Sequence, residues 1–223
     1  MPDTLHLADA DDVGGFALAR LISQLGVSPQ SPATFAWNDR GNLAAAWTIW
    51  LEKWFAPHLS ACFVEVYHRA AASLVEEIEA ADRRLDAALT DSLRSRSLQV
   101  AGAFLEGKSE RRAHRQWQRF VERIASGHTP GHTTTLFALQ CALYHLPLGS
   151  ALSAYAWFEL ESALPPSGSG GGERDYRDKA GSAEEVLAAY RLALPHVAVA
   201  LRGDRDEHAG ETSAEPPSRL RAI

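Results

Sequence analysis

The 223-residue chain has only two cysteines, Cys62 and Cys141, too few for the disulfide framework of a small secreted domain. It also lacks an excess of positive charge. Twenty-two Lys plus Arg against 28 Asp plus Glu leave a formal charge of −6, which argues against a protein whose main task is to neutralise phosphates, so no nucleic acid partner is expected. No apolar run approaches the roughly 20 residues that a membrane span needs, and no arginine-led apolar leader ends at a small-residue cleavage site. Neither export nor membrane insertion is therefore expected, and the cytoplasm is the default compartment. Strict alternation of apolar and polar residues is missing as well, which leaves no segment reading as a strand.

What the chain does have is apolar residues at helical spacing. Leu59, Cys62, Phe63, Val66, Tyr67, Leu74, Val75 and Ile78 recur at three- and four-residue intervals, so 57–79 reads as one long amphipathic helix. Trp117, Phe120, Val121 and Ile124 repeat the pattern, as do Leu148, Leu152, Tyr155 and Phe158, and Leu187, Tyr190, Leu194, Val197 and Leu201. Further helices are expected over 13–26, 42–55, 80–105, with a break near Thr90–Asp91, and 132–146. The fold class is all-α: a single-domain bundle of roughly eight to ten helices over 1–202, since 46% apolar side chains suffice for one core. Ser182 and Glu185 form a candidate capping box. Pro195 predicts a kink or an early end of its helix.

Two segments break the pattern. Residues 165–181 hold a Ser-Gly-Ser-Gly-Gly-Gly run followed by charged residues, too little apolar surface to offset the entropy of ordering, and are expected to be a flexible loop. Residues 203–223 are polar and contain Pro216-Pro217, which predicts a disordered C-terminal tail.

Candidate chemistry is sparse. The glycine run lacks the Gly-Lys-Ser/Thr triplet and the preceding strand of a phosphate-binding loop. His58 with Cys62 and Cys141 with His145 each stand four apart, the spacing that lets two ligands share a helix face. Both cysteines, however, fall on apolar stripes, where a thiol packs as a small hydrophobe; no metal site and no cofactor are expected. Pro130-Gly131 should break a helix between His128 and His132 and leave His132 to open the next one. No nucleophile elbow is visible, so no catalytic residue is assigned. The basic stretch Lys108, Arg111, Arg112, His114, Arg115, Arg119 and Arg123 around Trp117 reads as a solvated face balanced by Glu110 and Glu122, the alternative being a surface for an acidic partner. Trp47, Trp50 and Trp54 lie on one helix, mostly as core.

Four short matches, in order along the chain, resemble the UreF family, urease accessory protein F. They are Leu5-His6-Leu7-Ala8-Asp9 leading to Val13-Gly14-Gly15-Phe16; Arg94, Ser97, Phe104 and Leu105; His132, Leu146-Pro147-Leu148 and Tyr155; and Ser218-Arg219-Leu220. Asp12 stands where the family has Pro, and Val100-Ala101 replaces its Gln-Gly, so the chain resembles a divergent member. The resemblance implies an all-helical homodimer, itself no enzyme, that binds a UreD/UreH-type accessory protein and the GTPase UreG and helps to deliver nickel to apo-urease. It places partner-binding roles on Gly14, Gly15, Phe16, Arg94, Ser97, His132, Tyr155, Ser218, Arg219 and Leu220. Two other readings of the residues remain open: a helical small-molecule or metal-binding enzyme using the His/Cys pairs, and a generic helical adaptor.

Overall fold

The computed structural model describes residues 35, 42–106, 114–164 and 183–212. Among these residues there are helices and no strands. In chain order they are α1 (Leu43–Trp50), a π-helical stretch (Leu51–Leu59), α2 (Ser60–Ala71), α3 (Val75–Ala88), α4 (Asp91–Glu106), α5 (Arg115–Ala125), α6 (Thr133–Leu143), α7 (Leu148–Ala163), α8 (Ala183–Arg191) and α9 (Leu194–Thr212). Counting the run from Leu43 to Ala71 as one rod and α8 with α9 as another, these make seven, slightly below the eight to ten expected. Among the described residues no helix is long and apolar enough to cross a membrane.

Helix α6 is the axis of the fold. Every residue from Thr133 to Ala142 is buried, so its partners, α2, α4 and α7, close round it on all sides. Phe137 of α6 meets Tyr155 and Phe158 of α7 at ring-centroid distances of 5.4 and 5.6 Å, and Phe63 of α2 meets Tyr155 at 5.4 Å. Helix α3 packs on α2, α5 on α3, and α8 and α9 cover α1, the π-helical stretch and α7.

Three boundaries differ from those expected. Pro57 does not separate two helices, because the rod widens to π winding around it: the Ser60 amide donates to Phe55 O, and the Ser60 hydroxyl serves Ala56 O at 3.0 Å. The wider turn relieves the clash that Pro57 would impose on an α-helix, and the Ser60 hydroxyl takes up the Ala56 carbonyl that the shifted Ser60 amide leaves. The rod instead ends at Ala71, not at residue 79, with Ser73 in the left-handed region at φ 62°. Leu74 N–H bonds Arg69 O at 2.9 Å and Ser73 N–H bonds Ala70 O at 3.0 Å, a Schellman closure. The segment read as one helix over Leu187 to Leu201 is two, since α8 ends at Arg191 and Pro195 sits in the first turn of α9, where its missing N–H costs nothing.

The expected breaks near Thr90–Asp91 and at Pro130-Gly131 are present. Gly131, at φ 77°, is required where it is: a Cβ there would collide with the Ile124 side chain. The backbone of 203–212, expected to begin the tail, is helical. The expected helix 13–26, the loop 165–181, Ser182 of the capping box and the remainder of the tail lie outside the described residues.

Candidate functional site

The largest polar construction among the described residues is built at the N-terminus of α6. The last turn of α5 closes in a Schellman motif at Gly127, and the chain then runs through Thr129 and Gly131 to His132, the N-cap. His132 supplies no side-chain cap. Asp82 of α3 does so from another helix, and its fully buried carboxylate accepts from Thr129 Oγ1 at 2.6 Å, Gly131 N at 2.6 Å, His132 N at 2.9 Å and Thr135 Oγ1 at 2.6 Å. A carboxylate at this place satisfies amides that the first helical turn leaves orphaned, and it opposes the positive end of the helix dipole.

One turn further along α3, Asp86 binds the rim of the same site. Its Oδ1 lies 3.1 Å from His132 Nε2 and 2.9 Å from Arg94 Nε. Arg94 also donates to Asp91 Oδ1 at 2.7 Å and to the carbonyls of Asp86 and Leu89 at 2.8 and 3.2 Å, so it clasps the α3–α4 corner. Ser97 Oγ accepts from Thr133 N at 3.2 Å, and Ser97 O accepts from Thr133 Oγ1 at 2.6 Å. Beyond it, Thr134 Oγ1 stands 2.8 Å from Tyr155 Oη. Tyr155 Oη donates to Glu159 Oε1 at 2.8 Å, and Glu159 Oε2 takes the amide of Phe35 at 3.2 Å. Burial, and then the charge of Glu159 beside it, push the Tyr155 phenol well above its ordinary pKa, so it remains a donor.

Arg94, Ser97, His132 and Tyr155, taken from two separate motifs, therefore meet around the Thr133-Thr134-Thr135 turn. Ser97, His132 and Tyr155 are buried, and their hydrogen bonds tie α3, α4, α6 and α7 together. Arg94 and Asp86 are the part of the set that reaches solvent. The arrangement pairs donors with acceptors and offers no accessible nucleophile.

The sequence reading missed the acidic face of α3. Glu79, Asp82 and Asp86 follow one another at three- and four-residue spacing, beside the apolar Val75, Ile78 and Leu85. Glu79 is buried and takes a fork from Arg123, Nε to Oε1 at 2.5 Å and Nη2 to Oε2 at 2.9 Å. The hydrogen bond from Arg123 holds the Glu79 carboxyl below the usual range against the opposing effect of burial, and Glu79 in turn raises the guanidinium. Arg123 is thus bound to Glu79, where the sequence suggested balance by Glu122. The usable signal was position: carboxylates on the flank of the apolar stripe.

Comparison with known proteins decides the family. The family model described as UreF matches residues 45–164. The chain belongs to the UreF family. The matched span runs from within α1 to the end of α7 and contains the network around α6 apart from Phe35. UreF membership carries a urease accessory role, and UreF is a family of accessory proteins. Neither the curated proteins nor the solved structures include a match to the chain.

The other UreF-type positions, Gly14, Gly15, Phe16, Ser218, Arg219 and Leu220, lie outside the described residues. The two His/Cys pairs do not form a common site. Cys62 Sγ is buried against Thr135 Oγ1 at 3.9 Å and Ala81 O at 4.0 Å, and burial raises both thiols far above their ordinary pKa. His145 has left the helix of Cys141: it closes α6 in the left-handed region at φ 53°, with Leu146 N–H bonding Cys141 O at 3.0 Å. Among the described residues no group of three or more His, Cys, Asp or Glu is placed to hold a metal ion. Trp47 and Trp50 are buried and stacked at 4.8 Å, and Trp54 lies half-buried under the Lys53 ammonium at 5.3 Å.

Proposed function

We propose that the chain acts in the cytoplasm, without catalysis of its own, as a homodimeric urease accessory protein that assists nickel insertion into apo-urease by bridging a UreD/UreH-type protein and the GTPase UreG. The UreF match over 45–164 carries this reading. The network around α6 supports it by what it does chemically: it spends carboxylates, hydroxyls and a guanidinium on holding helices in register, as a protein that works through its surface requires. Arg94 contributes at the rim, whereas Ser97, His132 and Tyr155 act from beneath. Gly14, Gly15 and Phe16 near one end are partner-binding, and Ser218, Arg219 and Leu220 near the other meet the UreD/UreH-type partner. Residues 1–202 form the accessory domain, 165–181 a flexible loop within it, and 213–223, beyond the helical 203–212, orders on binding, with Leu220 as the apolar anchor and Arg219 as the fork of donors.

The test is complementation. A cell holding a complete urease gene cluster except for its own UreF, supplied with this chain and nickel, should regain urease activity. Regained activity that persists when residues 213–223 are deleted would remove the terminal segment from the mechanism. No activity, with the chain expressed and folded and the cluster's own UreF restoring it, would overturn the accessory reading.

A further inference from the structure

The basic stretch of α5 divides in the folded chain into spent and unspent charge. Arg69, Arg83, Arg84, Arg94 and Arg123 each reach a carboxylate at 2.5 to 3.5 Å. Arg115 and Arg119, one turn apart on the outer face of α5 and both exposed, reach none among the described residues. Arg96, Arg191 and Arg202 also reach none among the described residues, but no two of these three share a helix. The α5 pair works against its own helix. Like charges at this spacing repel, cations in the first two turns oppose the helix dipole, and α5 has neither an acid in its first turn nor a side-chain cap from His114.

The inner face of α5 is held firmly while this charge points outward. Trp117 and Phe120 are buried, and Gln116 Nε2 donates to Ala70 O at 3.0 Å. Tyr144, 37% exposed at the end of α6, sets its ring against His114 at 6.0 Å, edge to face. A preorganised surface of arginines beside an exposed tyrosine has the composition of an interface hot spot. Two guanidiniums without counter-charge specify the chemistry of what covers them.

We propose that the outer face of α5, formed by Arg115 and Arg119 with the exposed Tyr144 at the His114 end of the helix, docks a carboxylate-bearing helix or loop of a protein partner. Which accessory protein supplies that segment rests on the urease reading above; the face itself does not.

Two double variants test it, Arg115→Glu with Arg119→Glu, and Arg191→Glu with Arg202→Glu; both change the net charge equally, so any difference between them reports position. A fluorescein-labelled, glutamate-rich helical peptide serves as the acidic probe in anisotropy at low salt. The α5 variant should bind it about tenfold or more weakly than the native chain, the control should bind nearly as the native chain does, and native binding should fall steeply with salt. No weakening in the α5 variant, or equal weakening in both, overturns the proposal. The same proteins are then presented to purified UreD/UreH-type protein and to UreG. If the native chain binds neither while the peptide result holds, the urease reading fails and the docking face stands.

Discussion

Replacing Asp82 by Ala removes the acceptor of four hydrogen bonds at the start of the central helix. The Thr129 and Thr135 hydroxyls can rotate towards other acceptors, but the Gly131 and His132 amides are fixed by the backbone. A buried donor left unsatisfied costs about 1–3 kcal/mol, and loss of an N-cap acceptor about 1 kcal/mol. With two amides stranded, these place Asp82→Ala roughly 3–7 kcal/mol below the native chain, within the large values that loss of a buried network produces. For a domain of this size each kcal/mol moves the melting temperature by about 2–4 °C, so a drop on the order of 10 °C is expected. Asp82→Asn keeps one acceptor oxygen but turns an amide NH2 towards donors, and should lose about half as much. Circular dichroism melts give the first readout. Hydrogen exchange gives the second, because the Gly131 and His132 amides should lose protection in both variants before the rest of α6 does. A melting temperature for Asp82→Ala within about 2 °C of native, with those amides still protected, would show that other groups serve the helix end and would refute the reasoning.

Glu79→Gln should lower the melting temperature at pH 7, because an amide cannot take the charged fork of Arg123. Since Arg123 holds the Glu79 carboxyl below its ordinary range, its contribution is complete above the unfolded value of about 4.3 and is lost as pH falls through the lower folded value. The gap between native and variant should therefore close only in acid, and a gap independent of pH down to 3 or so would remove the charge from the account. Tyr155→Phe deletes the hydroxyl between Thr134 and Glu159 and should cost roughly 1–3 kcal/mol in urea unfolding; a neutral result would mean that Glu159 is satisfied without it. Because burial raises both thiols, iodoacetamide at pH 8 should label neither Cys62 nor Cys141 until the chain is unfolded, and labelling of the native chain at a free-thiol rate would contradict their placement.

The helices were legible because their apolar residues recur at three and four, and the break at Pro130-Gly131 was legible because Gly131 occupies the left-handed region, where other residues are strained. The boundaries that escaped had no such marker. Ser73 and His145 take the same conformation in the same kind of closure, yet neither residue type announces it; the preceding helices end there because neighbouring helices dictate the path. The helices expected over 42–55 and 57–79 are continuous across Pro57, since the chain passes it in π winding, with the Ser60 amide on Phe55 O and its hydroxyl on Ala56 O.

The roles at the α6 end escaped for a different reason. Charged side chains are almost never fully buried unless paired, so in sequence Glu79, Asp82 and Asp86 are three more solvated acids, and Glu159 and Glu161 read as an exposed face. Their partners lie far along the chain: Asp82 meets residues 129–135, and Glu159 meets Phe35. Without those partners the burial is too expensive to infer; with them it is stabilising and highly specific. The same logic separates the two groups of arginines. A guanidinium that finds a carboxylate of its own chain has its charge consumed in the fold, as Arg94 and Arg123 do. Arg115 and Arg119 find none, and their positions cost the helix that carries them. Stability alone therefore does not account for the charge on the outer face of α5, which is the charge that the proposed acidic partner would meet.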